Sequence, residues 1–343
     1  MVPEMKLKLC LLGILFSTLV GNAMAADAGL RYINTRGNVR CGTPNDNQIF
    51  AYKDEDGVWQ GISVEICRML STAIFGRSDR IQMVQVPEVL VSKALATNKI
   101  DVMVGGLPYS ATNEISTKAA PVDILYYDRL TFLSRGAGKA KSMKDFKGER
   151  VCIAQDPDDL KRLMSYSEHY NLDLQPATYQ TASGAKANFL LHRCRLLAGN
   201  YMLLQDMLVN TPSGLEDVEM LPETVAERAV YLYALKDNTT LRTILKWVIN
   251  ASKFAEDVGL TQENYKLNLG SKNPEIMNLL GVDEKLWTRF KLEPTWVQIM
   301  LKERGNYGEI FDKAFGEKSR FKIKRGKNNL LRNGGLITSE PFL

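Results

Sequence analysis

Short apolar runs that read as strands alternate with amphipathic stretches along nearly the whole chain, and this alternation most narrows what it can fold into. Residues 38–41 open the series as a strand. In 61–70, Ile62, Ile66, Met69 and Leu70 recur at helical spacing, with Ser63 and Glu65 suited to the first turn. Residues 81–86 alternate as a strand. Residues 89–96 read as a helix ending near Asn98, a residue that tolerates the left-handed conformation. Residues 100–104 form an apolar strand stopped by Gly105-Gly106. Further strands are expected at 125–133, 151–154, 174–179, 196–200 and 230–235, with a helix at 182–191. Asp156-Pro157-Asp158-Asp159 is a strong helix start: a cap, a proline at the first helical position and two acids in the first turn. Beyond Thr239 the pattern is helical, at 241–254, 274–280, 284–290 and 295–304.

The fold class is therefore α/β. Residues 134–226 read as a self-contained unit entered and left through strands. This predicts two lobes, with 26–133 and 227–343 forming the first and 134–226 the second. The two crossovers would be a hinge, and the cleft between the lobes a place for a small ligand. Alternation alone also suits a single doubly wound domain.

Lys6 and Lys8 precede an apolar run at 9–20, followed by Gly21, Asn22 and Ala23-Met24-Ala25. That is the layout of a cleavable secretory signal over 1–25. The run falls short of the about 20 apolar residues a bilayer span needs, although an uncleaved anchor is the other reading. Cys10 opens the apolar run instead of closing it, the wrong place for lipidation. Cleavage after Ala25 leaves Cys41, Cys67, Cys152 and Cys194, an even number that suggests two disulfides in an exported protein. Three pairings are possible. Cys41–Cys67 with Cys152–Cys194 keeps each bridge within one lobe and is the expected one; four buried thiols are the alternative.

A net charge of +5, from 44 Lys+Arg against 39 Asp+Glu, is mild and speaks against nucleic acid as a partner. Two histidines and no Cys-x-x-Cys pair leave no metal-ligand set. No Ser/His/Asp set or phosphate loop supports an enzyme, so no catalytic residue, metal or cofactor is expected. Asp101 reads as a strand-end structural residue. The basic stretch from Lys313 to Arg332 reads first as a solvated face, and second as a surface for anionic lipid or an acidic permease.

Several segments resemble the periplasmic solute-binding proteins of polar amino-acid ABC transporters, particularly the general L-amino-acid-binding branch. Trp59-Gln60-Gly61-Ile62-Ser63-Val64-Glu65-Ile66-Cys67-Arg68 is similar to that family's approach to its first helix. Ala94-Leu95-Ala96-Thr97-Asn98-Lys99-Ile100-Asp101-Val102 is similar to its helix–turn–strand leading to the ligand. Asn273-Pro274-Glu275-Ile276, Gly305-Asn306-Tyr307-Gly308-Glu309-Ile310-Phe311 and Asn333-Gly334-Gly335-Leu336 resemble the branch's helical extension. The four cysteines fall where the branch carries them. The resemblance spans nearly all of 30–343. It implies a two-lobed type II periplasmic binding protein with a helical C-terminal extension. The implied protein is a periplasmic monomer that delivers a small polar solute, an amino acid or derivative, to an inner-membrane ABC permease. A degenerate member acting as a sensor or protein-interaction module is the alternative.

The resemblance also implies ligand anchors, and here the chain departs from it. The family's carboxylate-binding Arg corresponds to Asn113, and the two hydroxyl-bearing positions before it to Leu107 and Pro108. A Gly-Thr-Thr type helix start corresponds to Gln155-Asp156-Pro157-Asp158-Asp159, where Pro157 removes a donor and the aspartates repel a carboxylate. The ammonium-binding Asp corresponds to Asn200. Exchanging a guanidinium for an amide loses a charge-assisted hydrogen bond worth on the order of 1.5–3 kcal/mol. The candidate ligand residues are Phe50, Leu107, Tyr109, Asn113, Asp156, Asp158 and Asn200, and the expectation is a ligand other than an ordinary α-amino acid. Arg129 and Arg135 are the nearby cations that could supply a guanidinium from elsewhere.

Overall fold

The computed structural model describes residues 28–45, 49–105, 109–136, 142–210, 215, 217–282 and 285–343. The signal segment 1–25 and Leu107 lie outside the described residues. The first half runs α1 (Ala28–Arg36), β1 (Val39–Pro44), β2 (Tyr52–Lys53), β3 (Trp59–Gln60), α2 (Ile62–Phe75), β4 (Ile81–Val86), α3 (Val91–Ala96), β5 (Val102–Val104), α4 (Ala111–Ser116) and β6 (Ala119–Arg135). There follow β7 (Arg150–Ala154), α5 (Pro157–His169), β8 (Gln175–Tyr179), α6 (Ala182–Leu190), β9 (Leu196–Asn200), α7 (Tyr201–Asn210), β10 (Val218–Met220) and β11 (Ala226–Leu235). The chain then turns helical: α8 (Thr239–Asp257), α9 (Pro274–Leu280), α10 (Lys285–Arg289), α11 (Trp296–Glu303) and α12 (Tyr307–Ala314).

The main sheet has the order β4-β1-β5-β11-β6-β9-β7-β8, with β10 also on β6. At one end β4, β1 and β5 are parallel; at the other β9, β7 and β8 are parallel. The antiparallel pair β6 and β11 joins them. Both crossover strands are longer than the sequence suggests, β6 beginning at Ala119 and β11 at Ala226. Pro121 hides the start of β6. It faces Tyr233 beside a register shift between Leu232 and Tyr233, and such an irregularity tolerates proline within a sheet.

Hydrophobic packing divides along this ribbon. The first core gathers Leu30 and Ile33 of α1, Cys41, Ile66, Tyr126, Leu232 and then side chains from α8 onward as far as Phe342. In the second lobe, alternation along β7 sends Val151 and Ile153 to one face, packed with Phe132 and Leu163, and Cys152 to the other, packed with Phe189 and Met207. Helix α7 serves both lobes: Met202 enters the first core while Leu204 and Met207 enter the second.

The disulfides are Cys41–Cys67 and Cys152–Cys194, with Cα atoms 6.0 and 5.6 Å apart. They close stretches of 26 and 42 residues, which in the chain-entropy picture stabilises by about 3.5–4 kcal/mol each. Asn98 takes the left-handed conformation at φ 54° as expected. Asp101 is structural: it accepts from the Arg40 amide at 2.7 Å and pairs with Arg36, joining the strand to α1.

The C-terminal helices seal the first core. Trp287 and Trp296 are fully buried with ring centroids 5.1 Å apart, and the Phe342 ring lies 5.5 Å from Trp287 and 5.3 Å from Trp247. Tyr307 donates its hydroxyl to the Leu125 carbonyl at 2.7 Å. The Asn328 amide bonds both the N–H and the C=O of Tyr127, at 2.6 and 2.9 Å. The basic stretch is largely spent internally. Arg325 pairs with Glu256, Arg332 with Asp257, and Lys327 with Glu227, while Arg320 stacks over Tyr52 at 4.3 Å.

Candidate functional site

Every second residue of β6 points to the same face, and the row Tyr126, Asp128, Leu130, Phe132 runs from the first core into the second. Asp128 thus stands at the floor of the junction between the lobes. Antiparallel register sets Arg228 of β11 directly opposite Asp128 and Asn200 of β9 directly opposite Leu130. Helix α5 covers this face of the second lobe through Leu163, which brings its N-terminus to the same floor.

That helix start forms as its sequence indicates. The Asp156 carboxylate accepts from the amides of Asp158 and Asp159, both at 2.9 Å, and Pro157 takes the first helical position. With the amides satisfied by Asp156, the helix end is not free to receive a ligand carboxylate. Asp159 instead pairs with the Arg228 guanidinium. Burial pushes the Arg228 guanidinium down, and Asp156, Asp128, Asp158 and Glu88 push it back up. Asp128 is 6% exposed, and desolvation raises its carboxyl to about 6 against the hydrogen bonds and cations that favour its charge. It accepts from the Arg129 amide at 2.8 Å and from Met202 N–H, in the first turn of α7, at 3.4 Å.

Besides Asp159 Oδ1, which meets Arg228 only as an ion pair, two polar atoms at this floor are buried with no hydrogen-bond partner among the described residues: the Tyr126 hydroxyl and the Asn200 Oδ1. Tyr126 is only 1% exposed, and burial first, then the Asp128 charge, pushes its hydroxyl well up. Phe50 stands behind it, ring to ring at 5.8 Å. Gly61 holds Phe50 there. At φ 109° it lets the chain turn into α2, where a Cβ would fall 2.4 Å from the Phe50 carbonyl, and that carbonyl accepts from Ser63 N–H.

The candidates from sequence thus separate. Asp156, Asp158 and Asn200 lie around the Arg228–Asp128 floor, and Phe50 lies in the wall behind Tyr126. Tyr109 goes elsewhere. Its ring packs at 4.9 Å on Tyr231, which alternation along β11 places on the face opposite Arg228, and its hydroxyl donates to Glu114. The backbone of Asn113 belongs to α4. Arg135 is drawn away into the second lobe, paired with Asp217 at 2.7 Å, and Arg129 stacks over Tyr201 at 4.7 Å. The guanidinium at the floor is Arg228. Its place needs the β6–β11 register, and its neighbours in sequence carry no sign of it. Among the described residues, no group of three or more His, Cys, Asp or Glu side chains is placed to hold a metal ion.

No protein-family model matches the chain. It is 27% identical over 323 residues to the putative amino-acid ABC transporter-binding protein YhdW of Escherichia coli K12, covering 94% of each chain. It is 27% identical to the general L-amino acid-binding periplasmic protein AapJ of Rhizobium johnstonii, covering 94% of this chain and 95% of that one. Among solved structures, a Brucella ovis ABC transporter periplasmic binding protein with glutathione bound superposes with a TM-score of 0.83 at 26% identity, covering 92% of this chain and 99% of that one. The fold is the two-lobed type II periplasmic binding protein with a helical C-terminal region.

Proposed function

We propose that this relative of the amino-acid ABC transporter-binding proteins is the periplasmic solute-binding component of an importer. It acts as a monomer whose lobes close on a small polar solute and present it to an inner-membrane permease. The crossover strands β6 and β11 are the hinge, and the solute meets the floor at Asp128, Arg228 and Asn200 and the start of α5. Closure gains free energy only from contacts the solute makes with both lobes, so the closed shape reports occupancy.

The solute is not held as an ordinary α-amino acid. The observation that carries this is the pairing of Arg228 with Asp159: the guanidinium at the floor is already matched by the protein's own carboxylate. A zwitterion's carboxylate would compete with Asp159 for Arg228 and meet helix amides already capped by Asp156. Isothermal titration with the twenty amino acids, short peptides and glutathione tests this. Neutral and acidic α-amino acids should give no micromolar binding, and one such hit overturns the altered-anchor reading. Mass spectrometry of whatever small molecule is released on gentle denaturation identifies the natural solute. The same instrument reads the mature N-terminus, expected at Ala26 if the signal is removed.

A further inference from the structure

The charge around Arg228 points to the class of solute, an inference that rests on the solute-binding reading above. The Arg228 guanidinium lies within the charge of Asp128, Asp156 and Asp158 and is paired with Asp159, so acid exceeds base at the floor. One match is internal, the ion pair of Arg228 with Asp159, and it joins a crossover strand to the second lobe's helix. What remains calls for donors. Asn200 Oδ1 is a buried acceptor with none, and Asp128 a buried carboxylate with amide donors alone, at 2.8 and 3.4 Å, among the described residues. The unpartnered Tyr126 hydroxyl, within reach of the Asp128 charge, marks the same spot independently. A buried polar group without a partner is uncommon, and a ligand that brings its own hydrogen bonds resolves it.

We propose that Asp159 is a specificity-determining residue: by occupying the Arg228 guanidinium it excludes solutes that present a carboxylate there and leaves a floor for solutes that present an ammonium or guanidinium group. The exclusion is a repulsive device as much as a lost attraction, since removing only the Asp159 charge would expose Arg228 to an incoming anion. The cation's N–H groups would reach Asp128 and Asn200 Oδ1, beside the Tyr126 hydroxyl.

The test compares the intact protein with Asp159→Asn, which keeps the side-chain shape; the cap of α5 is Asp156 and remains. Both proteins are titrated with L-glutamate and with agmatine, which carries an ammonium and a guanidinium but no carboxylate. Glutamate affinity should rise at least tenfold in Asp159→Asn, and adding Arg228→Gln should abolish the gain. Unchanged glutamate affinity in an Asp159→Asn protein that melts like the parent overturns the inference. So does micromolar glutamate binding by the parent, or a gain that survives loss of Arg228. Agmatine binding should weaken in Asp159→Asn as the unpaired Arg228 repels it, and tighter binding counts against the inference. Heat from other members of the panel with no change in charge preference defeats this inference alone. No heat from any of them in either protein, with nothing co-purifying, defeats the solute-binding reading as well.

Discussion

Two charged regions of this chain, one basic and one acidic, end differently in space. The basic stretch from Lys313 to Arg332 is matched from within: Arg325 by Glu256, Arg332 by Asp257, Lys327 by Glu227, with Arg320 laid over Tyr52. The acids at 156–159, with Asp128, gather around the guanidinium of Arg228, beside a Tyr126 hydroxyl and an Asn200 Oδ1 that have no partner among the described residues. Charge that the fold neutralises is part of the frame. Charge that the fold gathers and leaves in excess at a lobe junction is what a solute can answer.

The sharpest way to break this contrast is to unmatch the frame. Glu256→Ala strands Arg325 in a mostly buried setting and should cost about 3–5 kcal/mol, read as a large fall in the melting temperature. Asp128→Asn acts in the other direction. The native carboxyl titrates near 6 against 3.8 unfolded, so the folded state holds its proton more tightly. The Asp128 contribution to stability is therefore fully present below about pH 4 and is lost as pH rises through 6, by on the order of 2–3 kcal/mol. The asparagine should abolish that slope and melt higher at pH 7 than the parent, as denaturant curves between pH 4 and 7 would show; an unchanged slope would place the titration elsewhere. The smallest effect belongs to Lys327→Ala. Its partner Glu227 is about as exposed as it is, so loss of this pair should change stability by less than about 1 kcal/mol and vanish in high salt.

Much of the frame was legible because local rules and tertiary packing agree in it. The α5 start at Asp156-Pro157 formed as written, Asn98 closed its helix, and the cysteines paired within their lobes. The exceptions have physical causes. Helix α7 follows β9 without a break, and a residue at the start of its first turn, Met202, finds its acceptor in Asp128, far upstream, so no local capping signal announces it. The first residues of β6 were hidden by Pro121, which a sheet accepts only beside an irregularity that the sequence does not mark. The floor of the junction was half legible. Asp156, Asp158 and Asn200 stand at positions a resemblance can point to, but Asp128 and Arg228 acquire meaning only when β6 and β11 lie side by side. Tyr109 was separated from them by the two-residue alternation of β11, a matter of one step along the strand.

The first core takes side chains from Leu30 through to Phe342, whereas the packing partners of the second lobe are all in hand by Val225. During synthesis the second lobe is therefore the earlier cooperative unit to become complete, and the first must wait for the aromatic plug of Trp287, Trp296 and Phe342 at the far end of the chain. Such a chain spends its translation with one half unsealed.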